Sequence, residues 1–423
     1  MAARTAHAPS VRTSRRTTPR APGWEGRACQ QFAGADPDPH FLRMRALSYF
    51  GPNKVKVVRK PDPRIEHSND AILKVTRSAI CGSDLHLLHG LVPDTRVGCT
   101  FGHEFTGTVE EIGSSVKNLR RGDRVVVPFN ISCGICFYCS RGLSANCENT
   151  NPNSDVASGV FGYSHTTGGY DGGQAEYVRV PFADVGPMKI PDDMEEEEVL
   201  FLSDILPTGY QAAEMGEIKG GETVVVFGCG PVGLFAMKSA WLLGAGRVVA
   251  VDHVDYRLDF ARRYTGVETV NFKKVPDIVS YLKDQFEGRG PDVAIDAVGM
   301  EAEGSKLHRV LGMSFMQAGV PVAINWAIQT VRKGGNVSII GVYGPPCNLV
   351  DIGTAMNKGI TLRMNQCNVR RYMPHLLKHI RDGRIDAKGI ITHRFPLSAA
   401  PKAYKTFSDK RDGCVKCVLT PAA

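Results

Sequence analysis

The chain has 423 residues, of which 43% are hydrophobic and 22% charged. This composition is close to that of an average globular protein and excludes collagen-like and wholly disordered chains. The net charge is +8, but the sequence contains no basic stripe with interleaved aromatic residues. We therefore expect no nucleic-acid partner. The best candidate for a membrane span, residues 233–245, is too short and contains Lys238. We therefore expect a soluble, cytoplasmic protein without a membrane partner.

Residues 1–43 are predicted to be a disordered extension. They contain seven Arg, no Lys and three acidic residues, and no apolar period of 2 or 3.6 residues, so they cannot form a core. Two alternatives remain open. The Arg-rich start is compatible with an organelle transit peptide, although it lacks an amphipathic stripe, and translation could instead begin at Met44.

Residues 44–205 are predicted to form a mostly antiparallel, barrel-like β domain. Residues 44–58 alternate apolar and polar positions around a Gly-Pro-Asn turn, which is typical of a β-hairpin. Further short β-like segments are separated by Gly and Pro turns, and they read AILKVT, GTVEEIG, DRVVVPF and AEYVRVP. The acidic run of residues 195–198 is predicted to be a solvated helix face.

Residues 206–363 alternate strands and helices, which predicts a doubly wound parallel sheet covered on both faces. The predicted strands are TVVVFG, RVVAVD, DVAIDAVG and NVSIIGV, and the helices between the first three are VGLFAMKSAWLLGA and YRLDFARRYTG. An insertion at about residues 304–321 precedes the last of these strands. Residues 364–423 are expected to return to the first domain.

The hexapeptide GCGPVG, residues 228–233, follows a strand and opens a helix. A dinucleotide site needs Gly228 for a tight turn, Gly230 for close approach of the pyrophosphate and Gly233 for helix packing. Asp252 ends the next strand, 19 residues after Gly233, where a carboxylate accepts hydrogen bonds from the ribose hydroxyls. The same carboxylate repels a 2′-phosphate, so we expect NAD rather than NADP.

Four of the twelve cysteines lie within 15 residues, in a segment spanning about 130–150: Cys133, Cys136, Cys139 and Cys147. Four thiolates in a closed loop suit a tetrahedral structural zinc ion, with no vacant position for water. An iron–sulfur cluster and disulfides are the alternatives. A second group, Cys81, His103 with Glu104, and Asp204, is dispersed, and spacing alone does not pair its members.

Six motifs together resemble the zinc-dependent medium-chain alcohol dehydrogenases over residues 44–420. They are CGSDLH, GHEFTGTVEEIG, the four-cysteine segment, GGQAEYV, SDILPTGY and GCGPVG. The resemblance implies a GroES-like catalytic domain and a Rossmann coenzyme domain. It also implies two zinc ions per chain, NAD, a small alcohol or aldehyde substrate, and a homo-oligomer, either a dimer or a tetramer.

The resemblance also assigns residues. It implies that Cys81, His103 and Asp204 hold the catalytic zinc, that Asp84 orients His103, and that Glu104 is a neighbouring or transient ligand. Ser83 and His86 match the proton relay. The residues implied around the cofactor are Thr208 and Val342 near the nicotinamide, Arg257 near the adenosine, Lys416 near the pyrophosphate, and Gly228, Gly230, Pro231, Val232, Gly233, Asp252 and Val298.

The SDILPTGY segment, residues 298–302 and the insertion most resemble the glutathione-independent formaldehyde dehydrogenase-like branch. Glu303 and Ser305 replace the basic residues found in that branch beside its cofactor, so tight retention of NAD is not implied. Sorbitol and threonine dehydrogenases are the alternatives among zinc enzymes. A zinc-free quinone reductase is disfavoured, because this chain retains Cys81, His103 and Asp204. A non-catalytic dinucleotide-binding protein on the same fold is the alternative from another functional class.

Overall fold

The computed structural model describes residues 42–92, 94–151, 153, 155–299, 321–344 and 349–421. Its strands are β1 (Leu42–Tyr49), β2 (Val55–Pro61), β3 (Ala71–Ile80), β4 (Glu104–Ile112), β5 (Arg124–Val127), β6 (Tyr177–Val180), β7 (Met188–Lys189), β8 (Thr223–Phe227), β9 (Arg247–Asp252), β10 (Glu268–Asn271), β11 (Val293–Asp296), β12 (Asn336–Ile339), β13 (Thr361–Met364), β14 (His393–Pro396) and β15 (Cys417–Thr420). Its α-helices are α1 (Gly82–Leu88), α2 (Glu196–Val199), α3 (Ile205–Met215), α4 (Pro231–Leu242), α5 (Asp255–Thr265), α6 (Ile278–Gln285), α7 (Val322–Thr330), α8 (Ile352–Lys358), α9 (Val369–Arg381) and α10 (Ala400–Ser408).

The second domain is built on a six-stranded parallel sheet in the order β10-β9-β8-β11-β12-β13. The side chains of β8 alternate between two apolar clusters. Val224 and Val226 belong to one cluster, and Val225 and Phe227 to the other. Both faces of the strand are therefore buried, as its near-continuous apolar sequence predicts. The strand order reverses between β8 and β11, and ligands of doubly wound sheets bind at such a point.

The first domain contains a seven-stranded sheet in which β14, β15, β3, β4, β5 and β7 are neighbours and β6 also pairs with β3. All its pairs are antiparallel except β14 with β15. Strand β15 lies between β14 and β3, so the end of the chain returns to the first domain. The prediction of a GroES-like antiparallel domain joined to a Rossmann domain is confirmed.

The hairpin of β1 and β2 turns through Gly51 and Asn53, both with positive φ angles. Strand β1 begins at Leu42, two residues before the expected start of order, because its pairing with β2 extends to Pro61. Residues 1–41 lie outside the described part of the chain. The domain boundaries expected near residues 205 and 363 fall where α3 begins and β13 ends.

The acidic run is helical, but one of its residues does not face solvent freely. Glu197 in α2 has a side chain only 17% exposed and lies 2.7 Å from Arg394 and 3.5 Å from Arg77. Hydrogen bonds from Arg394 hold the pKa of Glu197 below its ordinary value. The expectation of a uniformly solvated face is therefore wrong at this position, because the sequence did not show which cations pack against the helix.

Among the described residues, no helix has the length and apolar character needed to cross a bilayer.

Candidate active site

Three of the dispersed residues meet because each lies at the end of a regular element. Cys81 follows β3 and is the N-cap residue of α1. His103 directly precedes β4, which pairs with β3 so that Glu104 lies opposite Ala79. Asp204 connects a short 3₁₀-helix to α3. All three side chains are buried.

The donor atoms of this group are close enough to share one ion. The Cys81 Sγ lies 3.6 Å from Asp204 Oδ2, and His103 Nε2 lies 3.3 Å from the same oxygen. One donor atom from each of Cys81, His103, Glu104 and Asp204 lies within 4.8 Å of the others. A thiol, an imidazole and a carboxylate in a buried position suit zinc, whose catalytic sites use three protein ligands and leave one position open.

His103 is held by a buried carboxylate. Its Nδ1 lies 3.2 Å from Asp84 Oδ1. The other Asp84 oxygen accepts hydrogen bonds from the backbone N–H of Cys81 at 2.9 Å and from Gln174 Nε2 at 3.2 Å. The Tyr404 hydroxyl donates to Gln174 Oε1 at 2.7 Å. Such outer partners fix the orientation of a metal-ligating imidazole.

Gln174 and Tyr404 are positioning residues that we did not predict from the sequence. Gln174 lies in GGQAEYV, one of the six motifs that carry the resemblance, so the sequence did single out its segment. Tyr404 is 230 residues away along the chain, and nothing in the sequence associates it with this group.

Glu104 forms a fully buried ion pair. Its carboxylate lies 2.6 Å from Lys416 Nζ, and both side chains are 0% exposed. Burial raises the pKa of Glu104 above its ordinary value, against the opposing effect of the Lys416 ammonium. The resemblance implied that Lys416 lies near the pyrophosphate. The structure places its ammonium on Glu104, although Lys416 also contributes to the cleft described next.

A cleft of about 220 Å³ extends from Cys81 of the dispersed group to the glycine-rich loop. Besides Cys81, most of the predicted cofactor and relay residues border it: Ser83, His86, Gly228, Gly230, Pro231, Val232, Asp252, Arg257, Val298, Val342 and Lys416. Phe272, Trp326 and Phe407 also border it and were not predicted. Two predicted cofactor residues, Thr208 and Gly233, are not among the bordering residues. The Thr208 hydroxyl instead donates to Asp204 Oδ1 at 2.8 Å.

The loop geometry suits a dinucleotide. Gly228 has a φ of 100°. A Cβ on Gly230 would meet nothing within 4 Å, so this backbone faces open space, whereas a Cβ on Gly233 would lie 1.9 Å from the Gly228 carbonyl oxygen. Helix α4 begins at Pro231 beside the cleft, and its N-terminus favours phosphate. Asp252 accepts a hydrogen bond from the Cys229 N–H at 2.8 Å and also borders the cleft.

A further carboxylate, Asp296, supports the opposite wall of the cleft and was not predicted. It is fully buried at the end of β11, and accepts hydrogen bonds from the Val298 N–H at 2.9 Å and the Tyr343 hydroxyl at 2.7 Å. Burial raises the pKa of Asp296 above its ordinary value, against the effect of these donors. Asp296 thereby fixes the backbone of Val298 at the cleft.

The four-cysteine segment folds into a compact loop. Donor atoms of Cys133, Cys136, Cys139 and Cys147 lie within 4.8 Å of one another. Backbone N–H groups of Ile135 and Cys139 donate to the sulfurs of Cys133 and Cys136, each at 3.5 Å. These contacts stabilise thiolates, and four thiolates fit a tetrahedral zinc ion. In the described part of the chain every cysteine is a free thiol.

Comparisons with known proteins agree with this geometry. The family model described as the alcohol dehydrogenase GroES-like domain matches residues 67–192, and the model described as zinc-binding dehydrogenase matches residues 231–311. A zinc-type alcohol dehydrogenase-like protein of Bacillus subtilis, AdhB, is 46% identical over 380 residues, which is 89% of this chain and 100% of that protein. The chain belongs to the zinc-dependent medium-chain alcohol dehydrogenases. It is an oxidoreductase of the zinc-type alcohol dehydrogenase kind.

Two other similarities bear on the branch and the fold. The glutathione-independent formaldehyde dehydrogenase of Pseudomonas aeruginosa is 35% identical, over 86% of this chain and 94% of that protein. The solved structure of alcohol dehydrogenase TADH from Thermus sp. ATN1 has a TM-score of 0.76 at 34% identity, and the match covers 89% of this chain and 99% of that one. Glu303, Ser305 and residues 304–320 of the insertion lie outside the described residues.

Proposed function

We propose that this enzyme is an NAD-dependent zinc dehydrogenase that transfers hydride from a small primary alcohol, or from an aldehyde hydrate, to NAD⁺. One observation carries the proposal. The buried donor group of Cys81, His103 and Asp204 meets, through Cys81, the same cleft that the glycine-rich loop and Asp252 border. An ion-binding group and a dinucleotide site that share one cleft suit oxidation of an alcohol.

Each residue has a proposed role. Cys81, His103 and Asp204 hold the catalytic zinc, which when bound polarises the alcohol oxygen and lowers the pKa of the alcohol. Ser83 and His86, both on α1 beside the cleft, carry the alcohol proton away. Val298 and Val342 border the nicotinamide and help to keep water from the reacting carbon.

The outer residues complete the arrangement. Asp84 holds His103 in the ligating orientation, and Thr208 does the same for Asp204. Glu104 would add negative charge to the donor group, and Lys416 would balance that charge. We propose that Cys133, Cys136, Cys139 and Cys147 hold a second, structural zinc, so that each chain contains two.

For the cofactor we propose NAD in preference to NADP. The glycine loop and the N-terminus of α4 receive the pyrophosphate, Arg257 borders the adenosine and Asp252 accepts from the ribose hydroxyls. The Asp252 carboxylate disfavours a 2′-phosphate by charge repulsion.

Formaldehyde is the first substrate we propose to test. The SDILPTGY segment and the similarity to the Pseudomonas aeruginosa formaldehyde dehydrogenase support it. Because Glu303 and Ser305 differ from that branch, we expect NAD to exchange freely.

We further propose that the chain forms a homo-oligomer through the edge of the parallel sheet. Strand β13 ends this sheet, and Met364 on it is 61% exposed. Two apolar residues of the preceding helix α8, Ile352 and Met356, are also exposed, at 56% and 75%. Exposed apolar edges are typical of interfaces. Light scattering of the purified protein distinguishes a monomer from a dimer or tetramer.

The test of the proposed activity is a substrate panel that follows NADH absorbance with enzyme of measured zinc content. The panel contains formaldehyde, ethanol, longer primary alcohols, sorbitol and threonine. Cys81→Ser should abolish turnover, whereas Cys99→Ser, which changes a buried thiol hydrogen-bonded to the Tyr163 carbonyl, should retain it. Absence of NADH formation with every substrate would contradict the proposal, and a preference for sorbitol or threonine would move the enzyme to another branch.

A further inference from the structure

Two buried cysteines outside both donor groups lie in contact with each other. Cys414 and Cys417 belong to a Cys-Val-Lys-Cys segment at the start of β15. Their Sγ atoms are 3.3 Å apart, both side chains are 0% exposed, and both are free thiols. Neither residue belongs to the four-cysteine segment or to the donor group of Cys81.

The segment between the two thiols is connected to both parts of the cleft. Lys416 lies between them in sequence, and its ammonium holds Glu104 beside the donor group. Strand β15 pairs Cys417 with Ile80, the residue before Cys81. The carbonyl of Cys414 accepts a hydrogen bond from the Tyr256 hydroxyl at 2.9 Å, and Tyr256 precedes Arg257 on α5. A shift in the backbone of this pair would therefore be passed on to Glu104 and Cys81 in the donor group and to Arg257 at the cleft.

The surroundings of Cys414 favour its reaction as a nucleophile. A hydrogen bond from Cys417 lowers the pKa of the Cys414 thiol against the effect of burial, and the nearby charges of Arg257 and Lys416 lower it further. The thiolate is the reactive form of cysteine, and positively charged neighbours are typical of reactive thiols. The backbone of the segment is anchored as well, because the N–H of Val415 donates to the Thr392 hydroxyl at 2.9 Å.

We infer that Cys414 and Cys417 form a redox-active dithiol that closes reversibly to a disulfide with hydrogen peroxide and thereby lowers the activity of the adjacent site. The effect on activity rests on the proposed function, whereas formation of the disulfide does not. Both side chains are 0% exposed, so the oxidant must be as small as hydrogen peroxide.

The chemistry balances in two steps. The Cys414 thiolate attacks one peroxide oxygen, the O–O bond breaks, and the products are a sulfenic acid and hydroxide. The Cys417 thiol then displaces the sulfenic hydroxyl group, forming the S–S bond and releasing water. In total, two thiols and one H₂O₂ give one disulfide and two waters, and the two sulfurs together lose two electrons.

Closing the bond draws the two sulfurs together. We expect this to displace Lys416, which lies between the two cysteines in sequence. Because small displacements of positioning groups reduce turnover strongly, we expect kcat/KM to fall about tenfold. A thiol reductant should restore both the thiols and the activity.

The experiment maps disulfides in the full-length, zinc-loaded enzyme after graded peroxide treatment. Trypsin cuts after Lys416, which separates DGCVK from CVLTPAA, so a disulfide joins two otherwise separate peptides. Free thiols are alkylated before digestion, and released zinc is measured in the same samples. We expect the joined peptide to appear before any zinc is released, and to disappear after reduction.

Cys417→Ser and, as the matched control, Cys99→Ser complete the test. Peroxide should inactivate the Cys99→Ser enzyme as it does the wild type, and should inactivate Cys417→Ser more slowly. The inference is overturned if Cys414 and Cys417 stay alkylatable while zinc is released, or if Cys417→Ser loses activity at the wild-type rate. Since the mapping needs no turnover, a failure of the dehydrogenase assignment is distinguishable from a failure of the dithiol.

Discussion

Replacing Lys416 by methionine removes one partner of a fully buried ion pair. The Glu104 carboxylate 2.6 Å away, itself 0% exposed, is then left without its counter-charge. Breaking a buried pair in this way costs about 3–5 kcal/mol. We expect about 3 kcal/mol, at the low end, because the pKa of Glu104 is already raised, so a proton is readily taken up.

The assay is thermal unfolding followed by circular dichroism, with the zinc content of each sample matched. For domains of this size a loss of about 3 kcal/mol lowers the Tm by roughly 6–12 °C. Methionine keeps much of the side-chain volume, so packing changes little. The control Lys402→Met removes an exposed lysine of α10 and should change stability by less than about 0.5 kcal/mol.

The pH dependence has a definite sign. Without Lys416 the folded-state pKa of Glu104 rises further above its unfolded value, so the folded variant binds more protons than the unfolded chain between the two pKa values. Its stability is then retained in acid and lost as the pH rises through the folded pKa. The Tm difference from wild type should therefore grow from acidic to neutral and alkaline pH.

This reasoning would be refuted if the Lys416→Met enzyme melted within about 1 or 2 °C of Lys402→Met at every pH. A difference that small is roughly the effect of a surface change. The double variant Glu104→Gln with Lys416→Met removes both charges. It should be more stable than the sum of the two single changes predicts, since the two groups interact directly.

Three further predictions concern the metals, the cofactor and the loop. Cys133→Ser should retain about one zinc per chain by elemental analysis and melt at a lower temperature, because metal binding is coupled to folding. Cys81→Ser should remain folded but inactive. Equal loss of folding in both variants would contradict separate roles for the two cysteine sites. Asp252→Ala should lower the ratio of kcat/KM for NAD to kcat/KM for NADP, because it weakens NAD binding and relieves repulsion of the 2′-phosphate. Wild-type enzyme that uses both cofactors equally would disprove this role of Asp252. Gly233→Ala should weaken NAD binding about tenfold or more, because its Cβ would lie 1.9 Å from the Gly228 carbonyl oxygen and must displace the loop that positions the pyrophosphate; unchanged NAD affinity by calorimetry would exclude this close packing.

Local sequence patterns predicted most of the fold. The buried strand TVVVF, the glycine loop and the helix after it are contiguous, so their order and type can be read without tertiary information. The four cysteines are likewise close in sequence. Helix α2 was also predicted, but the pairing of Glu197 with Arg394 was not, because 197 residues separate them.

The dispersed site depends on contacts that sequence spacing does not specify. Cys81, His103 and Asp204 were associated only through the family resemblance, since each is an ordinary residue in its own segment. The chain from Tyr404 through Gln174 to Asp84, and the pairing of Lys416 with Glu104, form only when β15 and α10 return to the first domain. For Lys416 the resemblance implied a position near the pyrophosphate, but not the Glu104 carboxylate to which its ammonium binds.

Isotope transfer tests the central claim most directly. The substrate is the most active primary alcohol of the panel, carrying deuterium on its hydroxyl-bearing carbon, and the NADH product is analysed by proton NMR. The account predicts one deuterium per NADH, at a single face of the nicotinamide C4, and none after Cys81→Ser. NADH that carries no deuterium, or the same transfer by the Cys81→Ser variant, would contradict hydride transfer at this site.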